Sequence, residues 1–512
     1  MNNANRPAPS LSQSLMKNVA WNFIGQIWIA LIGFFATPFI VRSLNVNLYG
    51  LYSLVWVIIG YFSFLQFGLG TASVKYISEY FAAGENENIR KIFWTCLVVY
   101  FFLGALGTLA IIFSAGFITA HFFKIPRELN GLAVTAIKLG GCGFLISMLT
   151  GVISGAVQAV GRFDILNRVG MLVGTLQLVL TVLLLAIGFS LKEIILSSLA
   201  VQLLGLCLLW IYAGKLLPCL ARPAWSFFYL GRLFKFGGFV TISGFVGPIL
   251  LNIDRIFLTS LRPLASLTYY SVPFSLMDKL SVIRSSFSSV LFPAFSSMEQ
   301  GRENAAGSEL QDRSRAYIFF LYAFFVVFFA ISGRSFLSWW IGPDFAARSS
   351  LILAVLSLAG MINALAVPSS TALQGFNKPH IPAMFHVIET ILYIPCAYFL
   401  IYRFGGTGAA FAWLLRVTLD TVLLQQAAAR ISGGSVLSWY AGLVKRGSVP
   451  VLAAAAVLSA VRSANPDFLS ALNIGGIIAA LAVYCSTVWH FGLDGFARKN
   501  IIELVRSKVH KH

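Results

Sequence analysis

Fourteen apolar stretches follow one another from residue 19 to residue 491, with short polar segments between them. A helix rises 1.5 Å per residue, so about 20 apolar residues cross the ~30 Å hydrocarbon layer of a bilayer. The run lengths therefore require an all-α, polytopic membrane protein, since barrel strands would alternate over about ten residues instead. Composition agrees, with 11% of the 512 residues charged and 58% hydrophobic, against about 25% charged in soluble domains. The expected spans are 19–41, 48–70, 93–119, 131–160, 168–189 and 193–214, then 237–260, 266–294, 316–339, 350–373, 381–402 and 408–429, and last 447–463 and 468–491.

The net charge of +19 raises nucleic acid as a partner, but the basic residues follow membrane topology instead. With the N-terminus inside, and Arg168, Arg334 and Arg462 at span ends counted with the flanking segments, 23 of the 37 lysines and arginines fall in inside segments, nine outside and five within spans. Both termini are expected in the cytoplasm. Lys124 and Arg127 run against this rule. Residues 154–158 and 370–374 (SGAVQ and STALQ) each close a span at an offset of 216, and 52–53 answers 270–271 at 218. An even number of spans separates the matches, which predicts two six-helix bundles related by a pseudo-two-fold repeat about the membrane normal. The expected division is 1–216 for the first bundle, 217–235 for a cytoplasmic linker and 236–430 for the second bundle. Residues 431–512 then hold two additional spans and a basic tail. The loop 72–91 reads either as a helix lying on the cytoplasmic membrane surface or as a continuation of the second span.

Charges inside the spans mark the candidate site. A charge at mid-membrane costs about 2.5–3.5 kcal/mol on insertion scales and is turned toward protein or water. Asp254 and Arg255 interrupt the seventh span, with Asn252 on the face of Arg255. Asp278, Lys279 and Arg284 interrupt the eighth, among several serines. Asn22 and Gln26 give the first span a polar stripe, and Lys138 stands in the fourth. Two readings follow: a hydrated lumen whose cations meet an anionic cargo, or structural pairs Asp254–Arg255 and Asp278–Lys279. Arg416 and Asp420, spaced i, i+4, read as an ion pair, and His386 as a packing or bonding residue. The six cysteines form no CxxC or Cys/His cluster, and there is no GxxxxGK[ST], HExxH or GxSxG. No metal, cofactor or enzyme chemistry is implied.

The opening SLMKNVAWNFIGQIWIALIGFFATPFIVRSLNVNLYGLYSLV, then FLQFGLGTASVKYISEY, NIDRIFL, TYYSV and LQGFNKPHIP resemble polysaccharide-export flippases of the multidrug/oligosaccharidyl-lipid/polysaccharide superfamily. The resemblance covers residues 14–430. It implies two bundles around a cavity that opens alternately to either side. It also implies transfer of undecaprenyl-diphosphate-linked oligosaccharide, an O-antigen or exopolysaccharide repeat unit, across the bacterial inner membrane. Asp254–Arg255 stands where that family often has such a pair, and Tyr269/Tyr270 where it often has a tyrosine. Lipid-linked oligosaccharide and membrane lipids are the implied partners, with a glycan polymerase and glycosyltransferases as neighbours. Ion or proton coupling is left open. The alternative is a cation- or proton-coupled multidrug exporter of the same superfamily. That class favours carboxylates in the first bundle, and no Asp or Glu lies well within spans one to six.

Overall fold

The computed structural model describes the backbone of residues 11–62, 69–298, 303–432, 435–464, 468–493, 495, 498, 499, 502 and 503. Side chains are described at these positions except 11–24, 69, 71, 232–248 and 303–305. Among the described residues the secondary structure is helical throughout. The order is α1 (Leu11–Phe62), α2 (Leu69–Ala83), α3 (Asn86–His121), α4 (Asn130–Ala159), α5 (Phe163–Ile187), α6 (Leu191–Leu216), α7 (Phe227–Leu261) and α8 (Ala265–Asp278). There follow α9 (Ser281–Ser296), α10 (Glu303–Trp340), α11 (Pro343–Leu365), α12 (Val367–Gly375), α13 (His380–Ser432), α14 (Val436–Ala464) and α15 (Ala471–Thr487). Ten helical segments among the described residues are long and apolar enough to cross a membrane.

Two of these segments are double. Helix α1 breaks at Asn45, which takes φ 60°. Its side-chain Oδ1 accepts from the amides of Asn47 at 3.0 Å and Leu48 at 3.2 Å, capping the second arm. Helix α13 breaks at Gly405, φ 59° and ψ −131°, a conformation open to glycine and strained for other residues. The eighth span, expected as one run over 266–294, is instead α8 and α9. Between them the carbonyl of Leu280 accepts from the Tyr322 hydroxyl at 2.7 Å, which holds the junction in place. The tenth expected span is likewise divided into α11 and α12. There Pro368, in the first turn of α12, removes an amide that a continuous helix would need.

The chain forms two compact units, Met1–Ser271 with Ile394–Gly405, and Val272–Tyr393 with Gly406–His512. In the first, α3 packs on α4, α4 on α6, and α1 on α5 and α7. Leu51, Leu54, Ile77, Phe93, Tyr100 and Phe144 fill its core. Helix α2 joins that core through Ile77, while Lys75 and Glu79 pair at 3.9 Å on its exposed side. The segment after α6 is docked on α3: Trp94 Nε1 donates to the Leu220 carbonyl at 3.0 Å, and the Tyr229 hydroxyl to Asn88 Oδ1 at 2.6 Å. Lys124 gains a local reason for its place, since its Nζ donates to the Leu261 carbonyl at 2.9 Å and satisfies the C-terminal end of α7. Arg262 does the same for the first arm of α13, donating from Nε to the Ile401 carbonyl at 3.2 Å.

Gly50 sits where α1 meets the start of α8. A Cβ there would lie 2.7 Å from the Leu264 carbonyl oxygen, and backbone cannot move aside as a side chain can. Gly50→Ala is therefore expected to destabilise by about 1–3 kcal/mol through overpacking. Gly116→Ala on α3, where a Cβ meets nothing within 4 Å, should be neutral or stabilising by about 0.5–1 kcal/mol. Thermal unfolding of the two purified variants checks the contrast.

Candidate functional site

In the first unit, α7 buries Asp254 to 2% exposure. Its Oδ2 accepts from the hydroxyl of the fully buried Tyr270, and its Oδ1 from the backbone amide of Arg255 at 2.9 Å. A carboxylate removed from water needs such donors, and the tyrosine matched by resemblance supplies one. Arg255 itself is half-buried. Asn252 lies against the second arm of α1, its Nδ2 3.6 Å from where a Cβ on Gly60 would be. Along that arm run Tyr49, Tyr52 and Trp56, with successive ring centroids 6.0 and 6.3 Å apart. Gln26 and Lys138 are exposed on α1 and α4. The side chain of Asn22 lies outside the described residues.

In the second unit, the α8–α9 break places Asp278 and Lys279 at a helix end. Asp278 is 61% exposed, and Arg284, on the first turn of α9, approaches it at 3.8 Å. Arg284 also lines a cavity of about 320 Å³ with Ser285 and Ser288 from α9 and Asn363 from α11. Ser370, Thr371 and Gln374 of α12 complete one wall, so the STALQ motif faces this cavity. His386 and Asp420 of α13 stand on it too.

Those last two belong to a cluster that spacing along single helices did not reveal. Glu389 is 1% exposed, with His386 Nδ1 at 3.7 Å and Arg416 Nη1 at 4.0 Å from its Oε2. One ligand atom from each of His386, Glu389 and Asp420 lies within 4.8 Å of the others. Arg416 thus turns to Glu389 on the opposite arm of α13, not to Asp420 on its own arm. Its guanidinium also sits 5.5 Å from the Tyr393 ring centroid. The signal was present in the numbering: Glu389 precedes Gly405 by 16 residues and Asp420 follows it by 15. A hairpin at Gly405 sets both at the same depth.

The arrangement offers two kinds of chemistry. The arginine, serine and amide groups of the cavity suit a hydrated anionic group. The carboxylates of Glu389 and Asp420 beside it, with His386, are close enough to hold one cation or proton between them.

Comparisons with known proteins give a family and a fold. Residues 15–299 match the Polysaccharide biosynthesis protein family. A Shigella flexneri protein proposed to be an O-antigen transporter is 24% identical over 416 residues, covering 80% of this chain and 97% of that one. EpsK of Bacillus subtilis, an uncharacterised membrane protein, is 25% identical over 381 residues, covering 72% of this chain and 73% of its own. Among solved structures, the lipid II flippase MurJ in an inward closed conformation aligns with a TM-score of 0.69 at 12% identity, over 91% of this chain and 98% of that one. An inward-facing multidrug resistance transporter of the MATE family and MOP superfamily aligns at 0.62 and 14% identity, over 82% of this chain and 96% of that one. The fold is therefore that of MOP superfamily transporters, and the protein is a multi-pass membrane protein. With more than half of its length matched, the chain belongs to the Polysaccharide biosynthesis protein family.

Proposed function

We propose that this chain is a flippase that carries an oligosaccharide linked to undecaprenyl diphosphate across the bacterial inner membrane by alternating access. The observation that carries this reading is Arg284 in a serine-rich cavity within a membrane protein of a polysaccharide biosynthesis family. Guanidinium matches a diphosphate or acidic sugar, while the polyprenyl tail stays in lipid. Arg255 serves the same cargo from the first unit. We read fourteen spans: both arms of α1 and of α13, α7 and the α8–α9 pair, with the other long helices. We place both termini in the cytoplasm and relate the two halves as repeats. Glycosyltransferases then supply the substrate, and a polymerase consumes it.

The test is reconstitution of the purified protein in vesicles with a defined lipid-linked sugar. Protein-dependent arrival of the sugar at the far leaflet supports the reading. Drug accumulation without sugar transfer replaces it with the multidrug exporter, which the MATE-like fold and the acid cluster favour.

The cluster supplies the coupling step. Glu389, Asp420 and His386 bring ligand atoms within 4.8 Å of one another, with Arg416 4.0 Å from Glu389, so the cluster is where a proton or cation would couple to transport. Asp420→Asn holds that position in its neutral form at every pH. Transport driven by an imposed pH gradient should lose its pH response in this variant. A full response would assign coupling elsewhere.

A further inference from the structure

A second cavity, of about 780 Å³, lies at the C-terminal ends of α10 and α14. Arg334, Ser335 and Ser338 reach it from the last turns of α10, and Arg462 from the end of α14. Trp339 and Phe468 stack in its wall, with centroids 5.2 Å apart and planes at 24°. Among the described residues no acid lines it. We propose that this cavity binds the phosphate of an anionic lipid headgroup at the outer surface of the membrane.

Three observations carry the proposal. Arg334 and Arg462 stand near the outer ends of their expected spans, 316–339 and 447–463, and are two of only nine basic residues counted to the outside, where charge bias disfavours them. They are 128 residues apart in sequence, yet they converge on one cavity. Other basic residues on that side, such as Lys124 and Arg262, serve as caps for helix carbonyls. Arg334 makes no ion pair or hydrogen bond among the described residues. Arg462 gives an N–H to the Ile331 carbonyl and keeps further donors from its five. Two guanidinium forks and two hydroxyls form a phosphate-binding set. The surroundings place it at the lipid boundary: Leu469, on the cavity wall, is 57% exposed, and stacked aromatics are typical of the membrane interface. Basic pockets between spans hold lipid headgroups on the cytoplasmic side of other membrane proteins, and the donor set here offers the same chemistry. The outer location rests on the orientation proposed above; the phosphate chemistry does not.

Two lipids carry that chemistry, a bilayer phospholipid such as phosphatidylglycerol and the diphosphate lipid of the proposed cargo. The experiment titrates the purified full-length protein with phosphatidylglycerol, undecaprenyl diphosphate or phosphatidylcholine and reads bound lipid by native mass spectrometry. At least one anionic lipid should bind well above phosphatidylcholine, and the tighter one identifies the source. Arg334→Gln should weaken it about tenfold, the effect of one charge-assisted phosphate contact. Arg334→Gln leaves the Arg462 cap intact, so folding is least disturbed. Arg334→Lys should bind between the parent and Arg334→Gln. Equal binding of phosphatidylcholine, or unchanged anionic-lipid affinity in Arg334→Gln, overturns the proposal. Because binding is read without transport, a failed flippase assay would leave this result standing on its own.

Discussion

Arg284→Ala is expected to leave the protein in the membrane at its normal level and to lower surface glycan at least about tenfold, the effect of one charge-assisted contact to the cargo. Arg284→Lys should retain part of the activity, because it keeps the charge and loses the planar fork. The control is Asp278→Asn. The Arg284–Asp278 approach is 3.8 Å with Asp278 61% exposed, and a pair this open contributes about 0–1 kcal/mol. If Arg284 exists to neutralise Asp278, the two variants should fail together. If it meets the cargo, only the arginine variant should fail. Surface glycan, measured by lectin or antibody in a deletion strain carrying each variant, separates these outcomes. Arg255→Ala should behave like Arg284→Ala, and normal export in both would remove the cationic lumen from the mechanism.

The apolar windows were legible because lipid offers no hydrogen bonds to a bare backbone, which leaves helices as the economical way across. The breaks were less so. Pro368 announces the one between α11 and α12 within its own segment. The break at Lys279–Leu280 depends on Tyr322, 42 residues away, taking the Leu280 carbonyl. Asp254 was visible as a charge in an apolar run, but its donor Tyr270 comes from the next helix, 16 residues on. Periodicity compares residues within one helix, so it paired Arg416 with Asp420. The actual neighbour, Glu389, reaches Arg416 only because Gly405 folds α13 back on itself. What sequence spacing lacks is the contact between arms, and that contact decides which buried charges are balanced.

Arg416→Leu should cause the largest loss of stability in the second unit. Glu389 is 1% exposed, and Arg416 is the permanently charged cation beside it, at 4.0 Å, with a side chain only 12% exposed. Removing one partner of such a pair leaves a buried charge without its counter-charge, at about 3–5 kcal/mol, whereas apolar replacement of both is often neutral. Arg416→Leu and Glu389→Leu should each lower the thermal midpoint and the amount of folded protein recovered. The double variant should recover most of the stability while transport stays lost, because the proposed coupling cluster has lost Glu389. That non-additive return is the signature of a direct interaction. Unchanged stability in Arg416→Leu would mean that the arginine does not serve as the counter-charge of Glu389, and the direct interaction would be overturned.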